Sequence, residues 1–403
     1  MKRRVVITGQ GAFCPLGRSV SETQTAMIEG KIAIGELDFP DVDRLTVAIG
    51  AQIRNYDPTQ YFSRQEITLY DPFTQFALLA AKEAIDQSGL TFEGHLAEMS
   101  GVVLGTAGGG LQTQDENYRS VYEAGKQRVH PLVVPRLMNN SATSHVSMTY
   151  NLQGPSFTVA TACASSNHAM GQAAAMIASG TAEVMITGGS ESMLCFGGIK
   201  AWEGLRVMSK DGCRPFCATR NGMVQGEGAA VFVFEEYNHA RARGADIVAE
   251  VAGFAMSSDA SDIVTPNQAG AERAIRGALR AAALSPSDVG YVNAHGTGTS
   301  ANDKTEIAAI KQVFGPSAAQ LRVSSTKSMH GHLIGGTGAV ELLAVTKALR
   351  DNVIAPTAGH RQSDPECNLN VVPNTAQEGR IDAALSNAFA FGGLNAVIAL
   401  KSV

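Results

Sequence analysis

Residues 157–180 read "FTVATACASSNHAMGQAAAMIASG" and change character around one cysteine. The residues before Cys163 are typical of a β-strand, and the small residues after it predict a helix. A thiol at such a turn has steric room, and the partial positive charge of a helix N-terminus lowers its pKa. The stretch therefore predicts either a reactive thiol or, as the simpler alternative, a small buried apolar residue.

The same alternation of strand and helix continues along the whole chain. Strands are predicted over Val5–Thr8, Val102–Leu104, Val184–Thr187, Ala230–Phe234, Tyr291–Asn293 and Val397–Leu400. Helices are predicted over Pro72–Ser88, His168–Ala178, Ala271–Ala283 and Ala339–Leu349. In the first helix Asp71 is the predicted cap and Gly89 the stop signal. Strands that alternate with helices favour a layered α/β fold.

Two parts of the chain resemble each other. "RRVVITGQGAF" opens the first part, and "IVAEVAGFAMSSD" opens the second near residue 247. "AEVMITGGSES" resembles "VGYVNAHGTGT", since each is an apolar strand that ends in a Gly-rich loop. We therefore expect two related halves, 1–250 and 251–403, fused into one body, with functional loops meeting at their junction.

Composition excludes several classes of protein. The chain has 403 residues, 44% of them hydrophobic and 17% charged, and a net charge of -5, which argues against a nucleic-acid partner. The apolar stretches are interrupted by polar residues, so we expect no membrane span. The N-terminus turns into a strand without an apolar signal core, which predicts a cytoplasmic protein. Six scattered cysteines form neither a disulfide framework nor a zinc spacing.

Two glycine-rich segments resemble nucleotide-binding loops only in part. "GQGAFCPLG", residues 9–17, has Cys14 and Pro15 where a dinucleotide fingerprint continues with glycine and a helix. "GTAGGG", residues 105–110, lacks the lysine and hydroxyl residue of a phosphate-binding loop. We expect a tight packing turn or a substrate-channel wall at the second segment, and no nucleotide at either.

Two histidine loops strengthen the interpretation of Cys163 as a nucleophile. "VNAHGTGTSANDKTE" places His295 after an apolar strand, and "SSTKSMHGHLIGGTGAVE" places Lys327 and His332 in a similar loop before a helix. A lone histidine is usually structural. A cysteine at a helix start together with two such histidines is the general arrangement for catalysis by a thiol.

Four motifs, "TACASS", "NAHGTGT", "SSTKSMHGH" and "NAFAFGGLN", resemble those of the β-ketoacyl-acyl carrier protein synthases. The resemblance runs from end to end with the motifs in order, and it is greatest to the elongating type II enzymes, including the nodulation synthases. It implies the duplicated thiolase-like fold, layered α-β-α-β-α with two mixed sheets.

The resemblance also implies a reaction. Cys163 would accept an acyl chain from a carrier protein, and malonyl carrier protein would then lose carbon dioxide and attack that chain. His295 and His332 would stabilise the enolate, and Lys327 would orient the cluster through Glu306, with a plain structural ion pair as the alternative.

The remaining site residues follow from the same resemblance. The backbone amides of Cys163 and Phe391 would form an oxyanion hole, and Phe391 would gate the channel on the flexible Gly392–Gly393 pair. Thr297 and Thr299 would hydrogen-bond the phosphopantetheine arm. The reaction requires no metal, flavin or nicotinamide.

Several positions depart from the family pattern. Gly108 replaces the aliphatic residue that usually narrows the channel, and Trp202 lies in the acyl-binding region, which together predict an altered acyl pocket. His330 is an additional histidine, for which an exposed or packing role is expected.

In residues 63–71 only Arg64 is basic, so docking of an acidic carrier is expected to use Lys126, Arg128, Arg136, Arg206 and Lys210.

Three related classes fit less well. A thiolase needs a second cysteine near the C-terminus, which "NAFAFGGLN" does not supply, and an initiating synthase has asparagine in place of His332. A chain-length partner lacks the nucleophile that is present here. We expect an active homodimer that pairs through residues 156–161. An active subunit beside a non-catalytic chain-length partner, in a polyketide-type or specialised lipid pathway, is the alternative.

Overall fold

The structure is a computed structural model that describes residues 3–403. Its strands are β1 Val5–Phe13, β2 Gly35–Glu36, β3 Ile49–Gly50, β4 Ser100–Gly105, β5 Ser156–Val159, β6 Val184–Glu191, β7 Gly228–Glu236, β8 Ala249–Ser258, β9 Tyr291–Asn293, β10 Arg322–Ser324, β11 Val353–Ile354, β12 Gln377–Glu378, β13 Ala383–Ala390 and β14 Leu394–Lys401.

The helices alternate with these strands, as predicted. They are α1 Val20–Ile28, α2 Arg64–Leu69, α3 Pro72–Ser88, α4 Gly94–Glu98, α5 Leu111–Tyr122, α6 Val133–Leu137, α7 Ser141–Tyr150, α8 Ser165–Ser179, α9 Phe196–Gly204, α10 Tyr237–Ala242, α11 Gln268–Ala281, α12 Ser300–Phe314, α13 Lys327–His330 and α14 Thr337–Asp351. Within residues 3–403, no helix has both the length and the apolar character that crossing a bilayer requires.

Ten strands form the main sheet, in the order β10-β9-β13-β14-β8-β1-β7-β6-β4-β5. Each half of the chain supplies five neighbouring strands with both parallel and antiparallel pairs. The two predicted mixed sheets are therefore present. They are joined edge to edge where β1 and β8 pair through Val6 with Glu250 and Ile7 with Ala249, a connection that the sequence did not predict.

The order of strands shows how the two halves correspond. Reading inward from the far edges, β5-β4-β6-β7-β1 corresponds to β10-β9-β13-β14-β8. The strand of "VGYVNAHGTGT" is β9, which takes the place of β4, whereas "AEVMITGGSES" forms β6. The predicted equivalence of these two segments is thus wrong, because an apolar strand followed by a Gly-rich loop occurs more than once in each half.

Side chains of the central strands alternate between two separate apolar cores. In β7, Phe232 and Phe234 pack with α8 and α14, whereas Val231 and Val233 pack with α3. In the second half the outer core is formed with α11 and α12. Helices α8 and α14 therefore lie between the two five-stranded units, which gives the predicted α-β-α-β-α layers.

Helix α3 begins and ends where the sequence predicts. The side chain of Asp71 accepts a hydrogen bond from the amide of Phe73 at 3.2 Å, and Gly89 ends the helix with φ 67°. A Cβ atom at Gly9 or Gly11 would lie within 2.0 Å of a main-chain oxygen of α3. The glycines of "GQGAF" thus allow close packing of β1 on α3, which accounts for their spacing without a nucleotide.

Candidate active site

The nucleophile candidate lies in a strained turn between β5 and α8. Cys163 is buried in the short 3₁₀ turn Ala162–Ala164, and Ala162 has a φ of 46°, in the left-handed region that favours glycine. Ile334, which also has a φ of 46°, lies three residues before α14, as Ala162 lies three residues before α8. The duplicated fold thus repeats the turn at the start of both central helices.

Three of the predicted side chains meet at this turn. The sulfur of Cys163 and one ring nitrogen each of His295 and His332 all lie within 4.8 Å of one another. The two imidazole rings are nearly perpendicular, with centroids 5.5 Å apart. His295 comes from the loop after β9 and His332 from the loop after α13, so the fold brings together groups that are far apart in sequence.

The ring of His332 has a defined tautomer. Its Nδ1 accepts a hydrogen bond from the amide of Ile334 at 3.1 Å, while its Nε2 is buried without a partner. In a neutral imidazole whose Nδ1 accepts, the hydrogen is on Nε2. His332 therefore presents a free N–H donor at the site.

The lysine is fully buried beside the histidines, but its acidic partner differs from the prediction. Lys327 Nζ donates to the carbonyl oxygen of His295 at 2.5 Å and forms an ion pair with Glu341. Within residues 3–403, no ion pair or hydrogen bond joins Lys327 to Glu306, although one was predicted. Glu341 lies on the inward face of α14, whereas Glu306 lies on α12 beyond the His295 loop.

Glu306 instead holds the backbone of the His295 loop. Its carboxylate accepts hydrogen bonds from the amides of His295 at 2.8 Å and Gly296 at 2.7 Å. The side-chain amide of Asn387 donates to the same carboxylate at 3.1 Å. Glu306 therefore supports the site through the loop rather than through Lys327.

Burial controls the protonation of the cluster. Burial, followed by the nearby charge of Lys327, holds the pKa of His295 and of His332 well below the usual range, so both are neutral hydrogen-bond donors near pH 7. Burial raises the pKa of Cys163 to about 12, although Lys327 and two backbone amides act in the opposite direction. The predicted lowering of the Cys163 pKa is wrong because desolvation outweighs the helix terminus.

Backbone amides converge on the sulfur. The N–H groups of Cys163 and Phe391, the two donors expected for an oxyanion hole, both act to lower the pKa of the thiol. Phe391 stacks on Trp202 with ring centroids 5.9 Å apart, and Gly392 and Gly393 follow with φ values of 81° and 67°. Phe391 thus lies between the nucleophile and a segment that needs glycine.

One cavity connects these groups. It is lined by Cys163, His295 and His332 together with Thr297, Thr299, Val207, Trp202 and Phe391. The hydroxyls of Thr297 and Thr299 lie 2.9 Å apart. Two hydroxyl groups and the sulfur therefore line the same cavity.

Comparison with protein-family models gives two matches. Residues 2–240 match the beta-ketoacyl synthase N-terminal domain, and residues 248–361 match the C-terminal domain. The chain belongs to the beta-ketoacyl synthase family.

Relatives of this beta-ketoacyl synthase align over its whole length. Nodulation protein E of Rhizobium sp. (strain N33) is 45% identical over 100% of both chains. The 3-oxoacyl-[acyl-carrier-protein] synthase 2 of Coxiella burnetii is 39% identical over 100% of this chain and 99% of its own.

Two solved structures share the fold over 100% of both chains. The ishigamide ketosynthase/chain length factor has a TM-score of 0.95 at 32% identity. AntDE:AntF, described as a type II PKS acyl-carrier protein in complex with its ketosynthase bound to the hexaketide, has a TM-score of 0.91 at 29% identity.

The two residues predicted for the acyl pocket of the synthase occupy different places. Trp202 lines the cavity described above. Gly108 lies beside Met193, and a Cβ atom at Gly108 would come within 2.5 Å of the terminal methyl group of Met193. Met193 and Trp202 belong to the same apolar cluster as Cys163. The space that Gly108 opens is thus partly filled by a flexible side chain.

The predicted docking residues are spread along the surface. Lys126 and Arg128 are exposed on the loop after α5, and Arg206 is exposed beside Val207, which lines the cavity. Arg64 and Lys210 are also exposed, and Arg136 is half-buried. Of this set, Arg206 is the residue that the chain places next to the cavity.

Sequence reasoning missed two buried acids and left two roles open for one histidine. Glu191 ends the apolar strand β6, and Glu341 interrupts the apolar helix α14. A single charged residue in an otherwise apolar element was the sequence signal that could have identified both. His330 is fully buried and donates to or accepts from Thr326 Oγ1 at 3.0 Å, so the expected packing role fits and the exposed alternative does not.

Within residues 3–403, the one group of three or more potential metal ligands is the same cysteine and two histidines. A soft divalent cation prefers such a donor set. The ammonium of Lys327, however, places a positive charge next to all three. That charge disfavours a bound cation at this group.

Proposed function

We propose that this beta-ketoacyl synthase catalyses the decarboxylative Claisen condensation of malonyl-acyl carrier protein with an acyl chain held on Cys163. The observation that carries the proposal is that one thiol and two neutral imidazoles lie together and line one cavity, which the expected oxyanion-hole residue Phe391 also lines. The product is a 3-oxoacyl-acyl carrier protein, two carbons longer than the acyl chain.

In the first step Cys163 attacks the thioester of the acyl carrier protein. The new bond joins sulfur to the acyl carbon, the bond to the carrier's sulfur breaks, and the thiol proton is transferred to the departing carrier thiolate. The negative oxygen of the intermediate lies between the amides of Cys163 and Phe391. Because the resting thiol is neutral, deprotonation accompanies attack.

In the second step the malonyl group loses carbon dioxide and leaves an enolate. His295 and His332 donate hydrogen bonds to its oxygen, where charge develops. Burial, followed by the charge of Lys327, keeps both rings neutral, so each ring donates from one nitrogen. The enolate carbon attacks the acyl group, the bond to Cys163 breaks, and the sulfur regains a proton from solvent.

Two further sets of residues position the substrates. Thr297 and Thr299 would hydrogen-bond the phosphopantetheine arm, since both line the cavity. Gly108 and Trp202 would shape the acyl pocket, with Gly392 allowing Phe391 to move as the gate. These roles rest on placement and on the family pattern.

The partner is an acyl carrier protein, which docks on Lys126, Arg128 and Arg206 through opposite charge. A homodimer would pair along β5, the edge strand of the sheet, where Phe157 is 37% exposed. The alternative is a heterodimer with a chain-length partner, which the ketosynthase/chain length factor neighbour favours.

The proposal also includes the organisation of the chain into two halves and its location in the cell. The halves 1–250 and 251–403 act as two fused units: the predicted boundary lies near the start of β8, after its second residue, and the pairing of β8 with β1 joins the two sheets. A cytoplasmic location is supported by the six cysteines, all of which are buried and free among the described residues.

Intact-mass analysis with acyl carrier proteins of graded chain length tests the proposal. We expect one acyl adduct on the wild-type chain and none on Cys163→Ala, with Cys195→Ala, another buried thiol, as the matched control that keeps the adduct. An adduct that persists in Cys163→Ala would refute the assignment. No adduct with any primer would refute the homodimeric enzyme and favour an obligatory partner.

A further inference from the structure

Glu191 is a buried carboxylate that the reaction above leaves without a role. It ends β6, is fully buried, and accepts four hydrogen bonds. The donors are Thr106 Oγ1 at 2.9 Å and the amides of Ala107 at 2.7 Å, Gly108 at 3.1 Å and Gly335 at 3.0 Å.

These donors belong to two different parts of the site. Three come from residues 106–108, at the proposed wall of the acyl pocket. The fourth comes from the turn Ile334–Gly336, which follows His332. A Cβ atom at Gly335 would lie 2.4 Å from the amide nitrogen of Ala107 and 2.7 Å from Glu191 Oε2. The carboxylate therefore connects two segments that pack too closely for any side chain at Gly335.

The negative charge of Glu191 also acts on the nucleophile, since it raises the pKa of Cys163. Burial raises the pKa of Glu191 itself to about 7, while its four donors act in the opposite direction. All four contacts require an acceptor, which favours the ionised carboxylate. A neutral amide in its place would turn one end from acceptor to donor and would remove the charge.

We propose that Glu191 is a positioning residue that holds the wall of the acyl pocket against the turn after His332, so that one carboxylate sets both chain-length preference and condensation rate. Both the chain-length part and the rate part of this inference rest on the function proposed above. The link to Cys163 reactivity does not depend on it.

The test compares Glu191→Gln with Glu227→Gln in the full-length chain. Glu227 is a matched control: it is also buried, its pKa is also raised to about 7, and it accepts from Ile53 N at 3.0 Å and Ser192 Oγ at 3.0 Å. In Glu191→Gln we expect a broadened chain-length profile in acyl loading, malonyl decarboxylation that is roughly 10- to 100-fold slower, and faster alkylation of Cys163 by iodoacetamide. Glu227→Gln should change none of these.

The outcomes separate this inference from the proposed function. A wild-type chain that accepts no acyl group refutes the proposed homodimeric enzyme, whereas the alkylation comparison still tests Glu191. A wild-type chain that loads normally, with Glu191→Gln indistinguishable from it or from Glu227→Gln, overturns the inference. If Glu191→Gln does not fold, Thr106→Val removes one donor and should broaden the chain-length profile in the same direction.

Discussion

The ammonium of Lys327 lies 2.5 Å from the main-chain carbonyl oxygen of His295, within a fully buried ion pair with Glu341. One charge thus fixes the backbone of one catalytic candidate and adds to burial in lowering the pKa of two imidazoles. This relationship makes Lys327 a positioning group whose loss should affect both activity and stability.

Replacing Lys327 alone and together with Glu341 separates the effect on activity from the effect on stability. We expect Lys327→Met to abolish malonyl decarboxylation and to lower the free energy of unfolding by about 3–5 kcal/mol, because Glu341 is left buried without its counter-charge. The double variant Lys327→Met with Glu341→Leu should regain much of the stability but no activity. Urea unfolding and carbon dioxide release measure the two quantities, and an active double variant would contradict the assignment.

The reactivity of Cys163 should rise with pH over an unusually wide range. With its pKa raised to about 12, the thiolate fraction grows about tenfold per pH unit from pH 7 to 9.5 without levelling off. Alkylation by iodoacetamide, followed by peptide mass, measures the rate, with Cys163→Ser as the blank. A plateau reached by pH 8 would show instead an activated thiolate.

His330 should make the protein sensitive to mild acid. Burial lowers its pKa to about 3, so the native state keeps it neutral while the unfolded chain binds a proton below pH 6.5. The free energy of unfolding is therefore unaffected by this group above pH 6.5, and it decreases as the pH falls below 6.5. Between pH 7.5 and 5, we expect the free energy of unfolding of His330→Asn to fall by about 2 kcal/mol less than that of the wild type. Equal losses in urea unfolding would contradict this interpretation of His330.

Filling the space at Gly108 should shorten the accepted acyl chain. Gly108→Ile places a branched side chain against Met193, whose terminal methyl group is the nearest atom. The longest acyl group that loads onto Cys163 should become shorter by intact mass. Gly108→Ile combined with Met193→Ala should restore longer chains, since the smaller residue returns the space. An unchanged preference in Gly108→Ile would remove the basis for this pocket.

Carrier docking should depend on salt and on the predicted basic residues. Charge reversal at Lys126, Arg128 or Arg206 should weaken binding of the acyl carrier protein by about fivefold each, and added salt should weaken the wild type. Arg280→Glu on α11, also an exposed basic residue, serves as the control. Binding that is insensitive to salt would rule out electrostatic docking.

Local patterns were sufficient for much of the fold and for the reacting groups. Helix Pro72–Ser88 was predicted with its cap and stop, and β9 over Tyr291–Asn293 with its bounds, because hydrophobic periodicity and capping depend on neighbours in sequence. Cys163, His295, Lys327 and His332 were named from motifs alone, and the structure places them together. The equivalence of β9 with β6 failed because sheet order is not a local property.

The sequence by itself thus determined which groups are present and the class of chemistry they can perform. Only the tertiary structure decided that Lys327 pairs with Glu341, that the Cys163 thiol is neutral at rest, and that Glu191 joins two loops. The physical reason is that ion pairing and desolvation depend on which distant residues exclude water from a group. That information arises when β-strands and helices from both halves pack around the site.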